Sequence, residues 1–425
     1  MAQIRSLAKA RKETLALVLA GGRGSRLKQL TDNQSKPAVH FGGKFRIVDF
    51  PLSNCMNSGI RRIAVLTQYK AHSLIKHIQR GWSFLNSELN EFVELWPAQQ
   101  QIDEALWYRG TADAVYQNLE VIKEHNPKYI VILAGDHIYK QDYSVMLASH
   151  LEKGADISIS CLEVPKEDAC GFGVVGVDNE DRIISFVEKP KNPPTIPDRP
   201  NKSFASMGIY IFNTDFLINE LIKDANNPNS SHDFGKDILP SLIGKAKMIA
   251  HRFTDSCVYN KTDEAYWRDV GTLDAYWAAN MDLTYVVPDL DLYDQHWPVW
   301  TFQEQRPAAK FVFESKLRTG YAVQSLVSAG CIVSGSTIRR SLLFSDVHTH
   351  SFSLVEDSVV LPGCEINRHC RIRKAILSER CIVPRGLVIG EDPELDKKRF
   401  YVTEKGVTLV TPDMLANIGE FEPAG

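Results

Sequence analysis

Apolar residues recur at every sixth position through the C-terminal part of this 425-residue chain. The first set is Ile332, Ile338 and Phe344. The second is Leu354, Val360, Ile366 and Ile372, and the third is Ile376, Ile382 and Val388. The phase slips between sets, as at corner insertions. Small or turn-forming residues fall between them: Gly330, Gly335, Gly363, Asn367, Gly386 and Gly390. Sixfold spacing is the signature of a parallel β-helix, in which each rung is a short strand. The spacing predicts that each sixth residue points into the prism. An irregular β-sandwich would have to produce three phased sets by chance.

The preceding two-thirds reads differently. Strand candidates at Leu15–Ala20, Ile63–Thr67, Tyr129–Ala134, Ile157–Val164 and Met207–Phe212 alternate with helical segments, among them Ala112–His125. Such βαβ alternation argues for a mostly parallel sheet covered by helices. Ligands of these sheets bind beyond the carboxyl ends of strands. Lys191–Pro200 holds four prolines and reads as a loop, and Asp289–Pro307 as an irregular connector. The chain therefore divides into an α/β domain over 1–288, a linker over 289–320 and a β-helix over 321–425.

The first strand candidate runs into Ala20-Gly21-Gly22-Arg23-Gly24-Ser25-Arg26-Leu27. Glycines after a buried strand let backbone N–H groups approach an anion closely. Arg23, Arg26 and the later Lys36 supply cations for a polyphosphate. This is neither a Walker A loop, which needs Gly-Lys-Ser/Thr, nor a dinucleotide fingerprint, whose third glycine is replaced by Leu27. Glycine spacing alone fits a plain tight turn equally well; the strand and the cations favour a triphosphate cradle.

Asp136 follows the apolar run Tyr129–Ala134 and Gly135, where it can bind a metal or cap a helix beginning near His137. Asp269 is a second carboxylate; alone it would pair with Arg268 or Arg26. Mg²⁺ takes one or two carboxylates together with phosphate oxygens and water. Glu188-Lys189-Pro190 ends the strand candidate Ile183–Val187 and suits a sugar phosphate, or else is an exposed charge pair before a turn. Ser206 and Gly173 would add sugar contacts. Cys55 and Ser53 have no evident base, so a covalent protein intermediate is not expected.

At these residues the chain resembles the bacterial glucose-1-phosphate adenylyltransferases. The resemblance runs from about Leu15 to about Leu415. It is carried by Gly21–Leu27, Lys36-Pro37-Ala38-Val39, Trp107–Ala114, Ala134-Gly135-Asp136-His137, Val187–Pro190, His232–Asp237 and Tyr266–Thr272. It implies a Rossmann-like catalytic domain, a left-handed parallel β-helix used for regulation and assembly, and a cytoplasmic homotetramer. It also implies the reaction of ATP with α-D-glucose 1-phosphate to give ADP-glucose, the glucosyl donor for bacterial glycogen, and pyrophosphate. By motif, Gly21, Gly22, Gly24, Arg26, Lys36 and Gly110 hold the nucleotide. Asp136 and Asp269 hold Mg²⁺, with Arg26, Lys36 and Asp136 as the catalytic set. Tyr108, Gly173, Glu188, Lys189 and Ser206 line the glucose 1-phosphate side.

Allosteric positions implied by the resemblance are His40, Arg46, Gln68 and Trp107. Members activated by fructose 1,6-bisphosphate carry cations where this chain has Asn33, Gln34 and Glu379, and again near Pro412 and Ala416. Weak or altered activation by that bisphosphate is the expectation. Three rival readings are a uridylyl- or guanylyltransferase of the same fold, a silent regulatory subunit, and an acyltransferase using His348, His350 or His369. The retained Arg26, Lys36, Asp136 and Asp269 count against a silent subunit. The histidines read better as surface groups.

Net charge is −3, which argues against a nucleic-acid binder, and no apolar run reaches membrane-spanning length. The first 13 residues lack the apolar stretch of a secretory signal. Eight cysteines without a Cys-x-x-Cys pair read as reduced, buried thiols of a cytosolic protein.

Overall fold

The computed structural model describes residues 2–22, 24–68, 70–98, 108–197, 199–258, 265–315 and 318–420. Two compact units emerge. One gathers Met1–Gly22, Val48–Tyr259 and His296–Trp300, and the other gathers Arg23–Ile47, Asn260–Gln295 and Thr301–Gly425.

The first unit is built on a nine-stranded sheet. Its strands, in chain order, are β1 (Thr14–Leu19), β2 (Arg62–Thr67), β3 (Phe92–Pro97), β4 (Tyr129–Ala134), β5 (Ile157–Pro165), β6 (Gly173–Val177), β7 (Ile183–Glu188), β8 (Lys202–Asn213) and β9 (Met248–Arg252). The main order is β7-β6-β8-β4-β1-β2-β3, with β5 beside β8 and β9 beside β5. Strands β4, β1, β2 and β3 are mutually parallel, whereas β8 runs antiparallel to β4, β5 and β6. Leu15, Leu17, Ile130 and Ile132 on one face and Ala16, Val18, Val131 and Leu133 on the other are all fully buried across the β1–β4 register, as expected of parallel strands covered on both faces. The chain leaves β1 toward β2 and later returns to its other side as β4. The order reverses there, which is where such sheets take ligands.

The expected helix over Ala112–His125 is two helices, Thr111–Tyr116 and Leu119–His125. Asn118 causes the break. Its side-chain amide donates to the Ala114 carbonyl at 2.8 Å, while its backbone N–H turns to Val115.

The second unit contains the prism. Three sheets of short strands stack in parallel register, apart from the antiparallel edge strand Tyr401–Val402, the first strand being Lys310–Val312 beside Ile332–Ser334. Equivalent inward residues are Ile338, Val355, Ile372 and Ile389 on one wall, Leu343, Val360 and Leu377 on the next, and Thr349, Ile366 and Val383 on the third. From Ile338 onward the coil therefore advances by 17 residues, in steps of 5, 6 and 6. The strict sixfold spacing read from the sequence misplaces several residues for this reason. Ile332 and Ile382 point outward, 37% and 62% exposed, and Leu354 and Val388 are half-buried. One five-residue step per coil moves the inward position by one.

Each coil turns through left-handed residues at recurring positions. One series is Gly330, Asp346, Gly363 and Arg380; another is Gly335, Phe352, His369 and Gly386; a third is Gln324, Arg340, Asp357 and Lys374. Six of the eight cysteines are buried; Cys170 is exposed and Cys257 half-buried. Four of the buried ones lie in the prism. The Cys331, Cys364 and Cys370 thiols donate to the Phe344, Ser378 and Pro384 carbonyls at 2.9, 3.0 and 3.1 Å. Among the described residues no helix is long and apolar enough to cross a membrane.

Candidate active site

In the first unit, the carboxyl ends of β1, β2 and β4 lie side by side. Ala20 N–H bonds the Leu66 carbonyl at 2.9 Å, and Gly135 N–H bonds the Leu19 carbonyl at 3.1 Å. A Cβ on Gly135 would stand 2.8 Å from that carbonyl oxygen, so only glycine lets the two strand exits close this tightly. Gly21 lies against Gln68, whose Cβ would be 3.1 Å from a side chain there, while Gly22 borders open space. Asp136 does not cap a helix: His137–Tyr139 is a strand, and the next helix, Tyr143–Glu152, is capped by Asp142. The side chain of Asp136 is 36% exposed, with His137 Nε2 3.6 Å away. Asn54 fixes the following segment by donating to the Tyr139 carbonyl and accepting from Gln141 N–H, both at 3.2 Å.

The residues expected to meet glucose 1-phosphate also lie within this unit. Glu188 ends β7, and its Oε2 lies 2.9 Å and 3.1 Å from where side chains on Gly173 and Gly235 would begin. Two glycines thus leave room around one carboxylate. Lys189 Nζ stands 3.6 Å from Glu188 Oε1, and Lys189 itself has φ 48°. Ser206 precedes an irregularity in β8, where Gly208 has φ 69° and the register to β5 shifts between Ser206 and Tyr210. Burial pushes the buried Tyr210 phenol well up; Ser206 hydrogen-bonds it, and the charges of Asp233 and Glu188 reach it. Tyr108 accepts from Asn118 Nδ2 at 3.1 Å, and its burial raises its pKa. Gly110 packs on the His232 carbonyl oxygen, which fills the space a side chain would need. Trp107 lies outside the described residues.

Sequence reasoning did not single out the floor of this region. Ala112 N–H bonds the His232 carbonyl at 2.9 Å, and Thr111 Oγ1 donates to Asp233 Oδ2 at 3.0 Å. Asp233 Oδ1 accepts from Gly235 N–H at 2.9 Å and Lys236 N–H at 3.1 Å. The His232–Asp237 motif was visible only as part of a resemblance, and no spacing rule links it to Gly110. Asn118 likewise reads in sequence as an ordinary helical residue.

The second unit carries the cations. Gly24, with φ 64°, starts the 3₁₀ turn Ser25–Thr31 that presents Arg26. A Cβ there would lie 2.8 Å from the Lys36 Cβ, so glycine also admits Lys36 to its place. Lys36 Nζ bonds Asp269 Oδ1 at 2.9 Å, and Arg26 Nη2 stands 3.7 Å from Oδ2. The lysine side chain is 6% exposed, the aspartate 27% and the arginine 68%. Asp269 therefore pairs with Lys36 as well as with Arg26, while Arg268 turns to Asp282 at 3.6 Å. Gly271 adjoins both Arg26 Nη2 and Asp269 Oδ1, 2.7 and 2.9 Å from where its side chain would begin.

His40 and Arg46 lie in the same unit. His40 Nδ1 faces Glu379 Oε1 at 3.0 Å. Arg46 donates to the Ala38 carbonyl and to Gln34 Oε1 at 3.4 Å. Burial pushes the Glu379 carboxyl up, but the His40 hydrogen bond and the charges of His40, Arg46 and Arg380 outweigh it and hold the pKa below the usual range.

Comparison with known proteins places the chain in a family. Residues 15–285 match the family described as nucleotidyl transferase, and residues 307–410 match the GlmU-like C-terminal hexapeptide family. A glucose-1-phosphate adenylyltransferase of Rhodospirillum rubrum is 64% identical over 409 residues, covering 96% of this chain and 97% of the relative. One from Dechloromonas aromatica is 59% identical, covering 95% and 92%. One from Nitrosospira multiformis is 57% identical, covering 97% of both.

Proposed function

This chain belongs to the glucose-1-phosphate adenylyltransferase family, and we propose that it transfers the adenylyl group of ATP to α-D-glucose 1-phosphate, forming ADP-glucose for glycogen synthesis and releasing pyrophosphate. The observation that carries the chemistry is the Lys36–Asp269–Arg26 cluster beside a glycine turn. A phosphate oxygen of the sugar phosphate attacks the α-phosphorus, and the new O–P bond forms as the bridge to the β-phosphorus breaks. The bridge electrons leave with pyrophosphate. Lys36 and Arg26 draw that growing charge away, and Asp269 keeps the lysine oriented beforehand. Lys189 meets the sugar phosphate, Glu188 accepts from sugar hydroxyls, and Tyr108 and Ser206 complete that side.

Nucleotidyltransferases generally use a divalent metal. Mg²⁺ would be the ion; Asp136 in the first unit and Asp269 in the second each carry partly solvated carboxylate oxygens of the kind Mg²⁺ accepts. When bound, the ion neutralises phosphate charge. Residues 1–288 form the catalytic domain, and the β-helix, expected over 321–425 but with its first strand at Lys310–Val312, forms the regulatory and assembly domain of a cytoplasmic homotetramer. Gln68 and Trp107 relay effector signals. Fructose 1,6-bisphosphate acts weakly, because Glu379 already faces His40 and Arg46 is engaged by Gln34 and Ala38.

Pyrophosphate release is to be measured with glucose 1-phosphate and ATP, UTP or GTP in turn. Turnover with ATP well above the others is the expected result. Preference for UTP or GTP would overturn the assignment.

A further inference from the structure

We propose that His348, His350 and Glu365 form a site for a divalent transition metal, of the zinc or cobalt type, on an outer wall of the prism. The argument begins with strand alternation. Thr349 is fully buried and points inward, so His348 and His350 on either side of it point outward together. Parallel register then sets His348 directly beside Glu365 of the next coil. One ligand atom from each of the three lies within 4.8 Å of the others. The two imidazole centroids are 4.1 Å apart, and His350 Nε2 is 2.9 Å from Glu365 Oε1. Tetrahedral zinc with bonds of roughly 2.0–2.2 Å sets its donors roughly 3.3 Å apart. Side-chain rotation alone covers that difference.

The backbone beneath is fixed. His348 N–H bonds the Cys364 carbonyl at 2.9 Å, and His350 N–H bonds the Ile366 carbonyl at 2.8 Å. Rigid strands hold a ligand set better than loops do. Two imidazoles and one carboxylate favour zinc, cobalt or nickel over magnesium or calcium. The side chains are reachable, His350 being 26% and Glu365 45% exposed, and three protein ligands leave a fourth position for water. His369 is not part of the set; it stacks on Phe352 at 5.1 Å. None of the three residues belongs to the proposed substrate site. A bound ion would join two successive coils and stabilise the folded chain by linkage.

The test uses the full-length chain, stripped of metal by chelation, dialysed and titrated with Co²⁺ in excess Mg²⁺. Visible absorption saturating at one Co²⁺ per chain, and a higher melting temperature with Zn²⁺, are expected. His348→Gln, His350→Gln and Glu365→Gln should each weaken Co²⁺ binding roughly tenfold or more. All three should keep Mg²⁺-supported pyrophosphate release and the metal-free melting temperature of the parent. No saturable absorption, or the same absorption in every folded variant, overturns the proposal. Three independent variants keep the test decisive if one fails to fold.

Discussion

Replacing Lys36 by methionine separates its two roles. The ammonium group lies 2.9 Å from Asp269 Oδ1 and is almost fully buried. At that distance and an effective dielectric of about 20, the attraction is about 6 kcal/mol, and desolvation of both groups offsets most of it. Asp269 keeps Arg26 at 3.7 Å and contact with solvent, so the loss to folding should be about 1 kcal/mol. Turnover is a different matter. The lysine is pre-positioned where pyrophosphate gathers charge, and removing one such donor typically costs about 100- to 1,000-fold in kcat, about 2.7–4 kcal/mol. Lys36→Met should therefore melt within a few degrees of the parent while kcat falls by roughly two to three orders of magnitude. Steady-state pyrophosphate release at saturating substrates, run beside thermal unfolding, measures both. A kcat within about threefold of the parent would refute the reasoning, since the smallest loss expected from removing such a donor is far larger.

Asp136→Asn should lower kcat far more than it raises the Michaelis constants, because metal stabilisation is larger in the transition state; steady-state kinetics at several Mg²⁺ concentrations will show it. Lys189→Gln should mainly raise KM for glucose 1-phosphate, and a change confined to ATP would place Lys189 on the wrong side of the reaction. Fructose 1,6-bisphosphate should activate the parent weakly and Glu379→Gln more strongly; strong activation of the parent at micromolar effector contradicts the role given to Glu379. His251 is buried and accepts or donates a 2.9 Å bond with Ser256 Oγ, and burial lowers its pKa from 6.5 to about 4. A histidine depressed on folding contributes stability above its unfolded pKa and loses it as pH falls toward the folded value. About 3 kcal/mol should vanish between pH 6.5 and 4, and His251→Gln should flatten that part of a urea-denaturation pH profile.

Much of the architecture could be read before any coordinates. The buried runs at β1 and β4 carry no competing pattern, so their strands follow from composition; the reversal of strand order between them does not, because pairing partners are not written in the local sequence. The prism was legible as a repeat but not in detail. A sixfold rule cannot register a five-residue step, and that step is why Ile332 and Ile382 face solvent. Corner glycines such as Gly363 announce themselves, but Arg340, Phe352 and His369 adopt the same left-handed backbone without any sequence signal. Lys36 and Asp269 were each recognisable as functional residue types. Their direct pairing was not, because it spans residues 233 apart in sequence. Asn118 shows a further limit: its side-chain bond to Ala114 competes with the backbone, and helix propensity alone does not foresee that.

The 17-residue winding also limits how this chain can change length. Losing or duplicating one whole turn of the prism would leave every lateral pairing matched with its neighbour. Adding a single residue within a wall strand would exchange interior and exterior along that wall. Evolution can therefore lengthen or shorten this part of the molecule in discrete blocks, with smaller insertions confined to the bends.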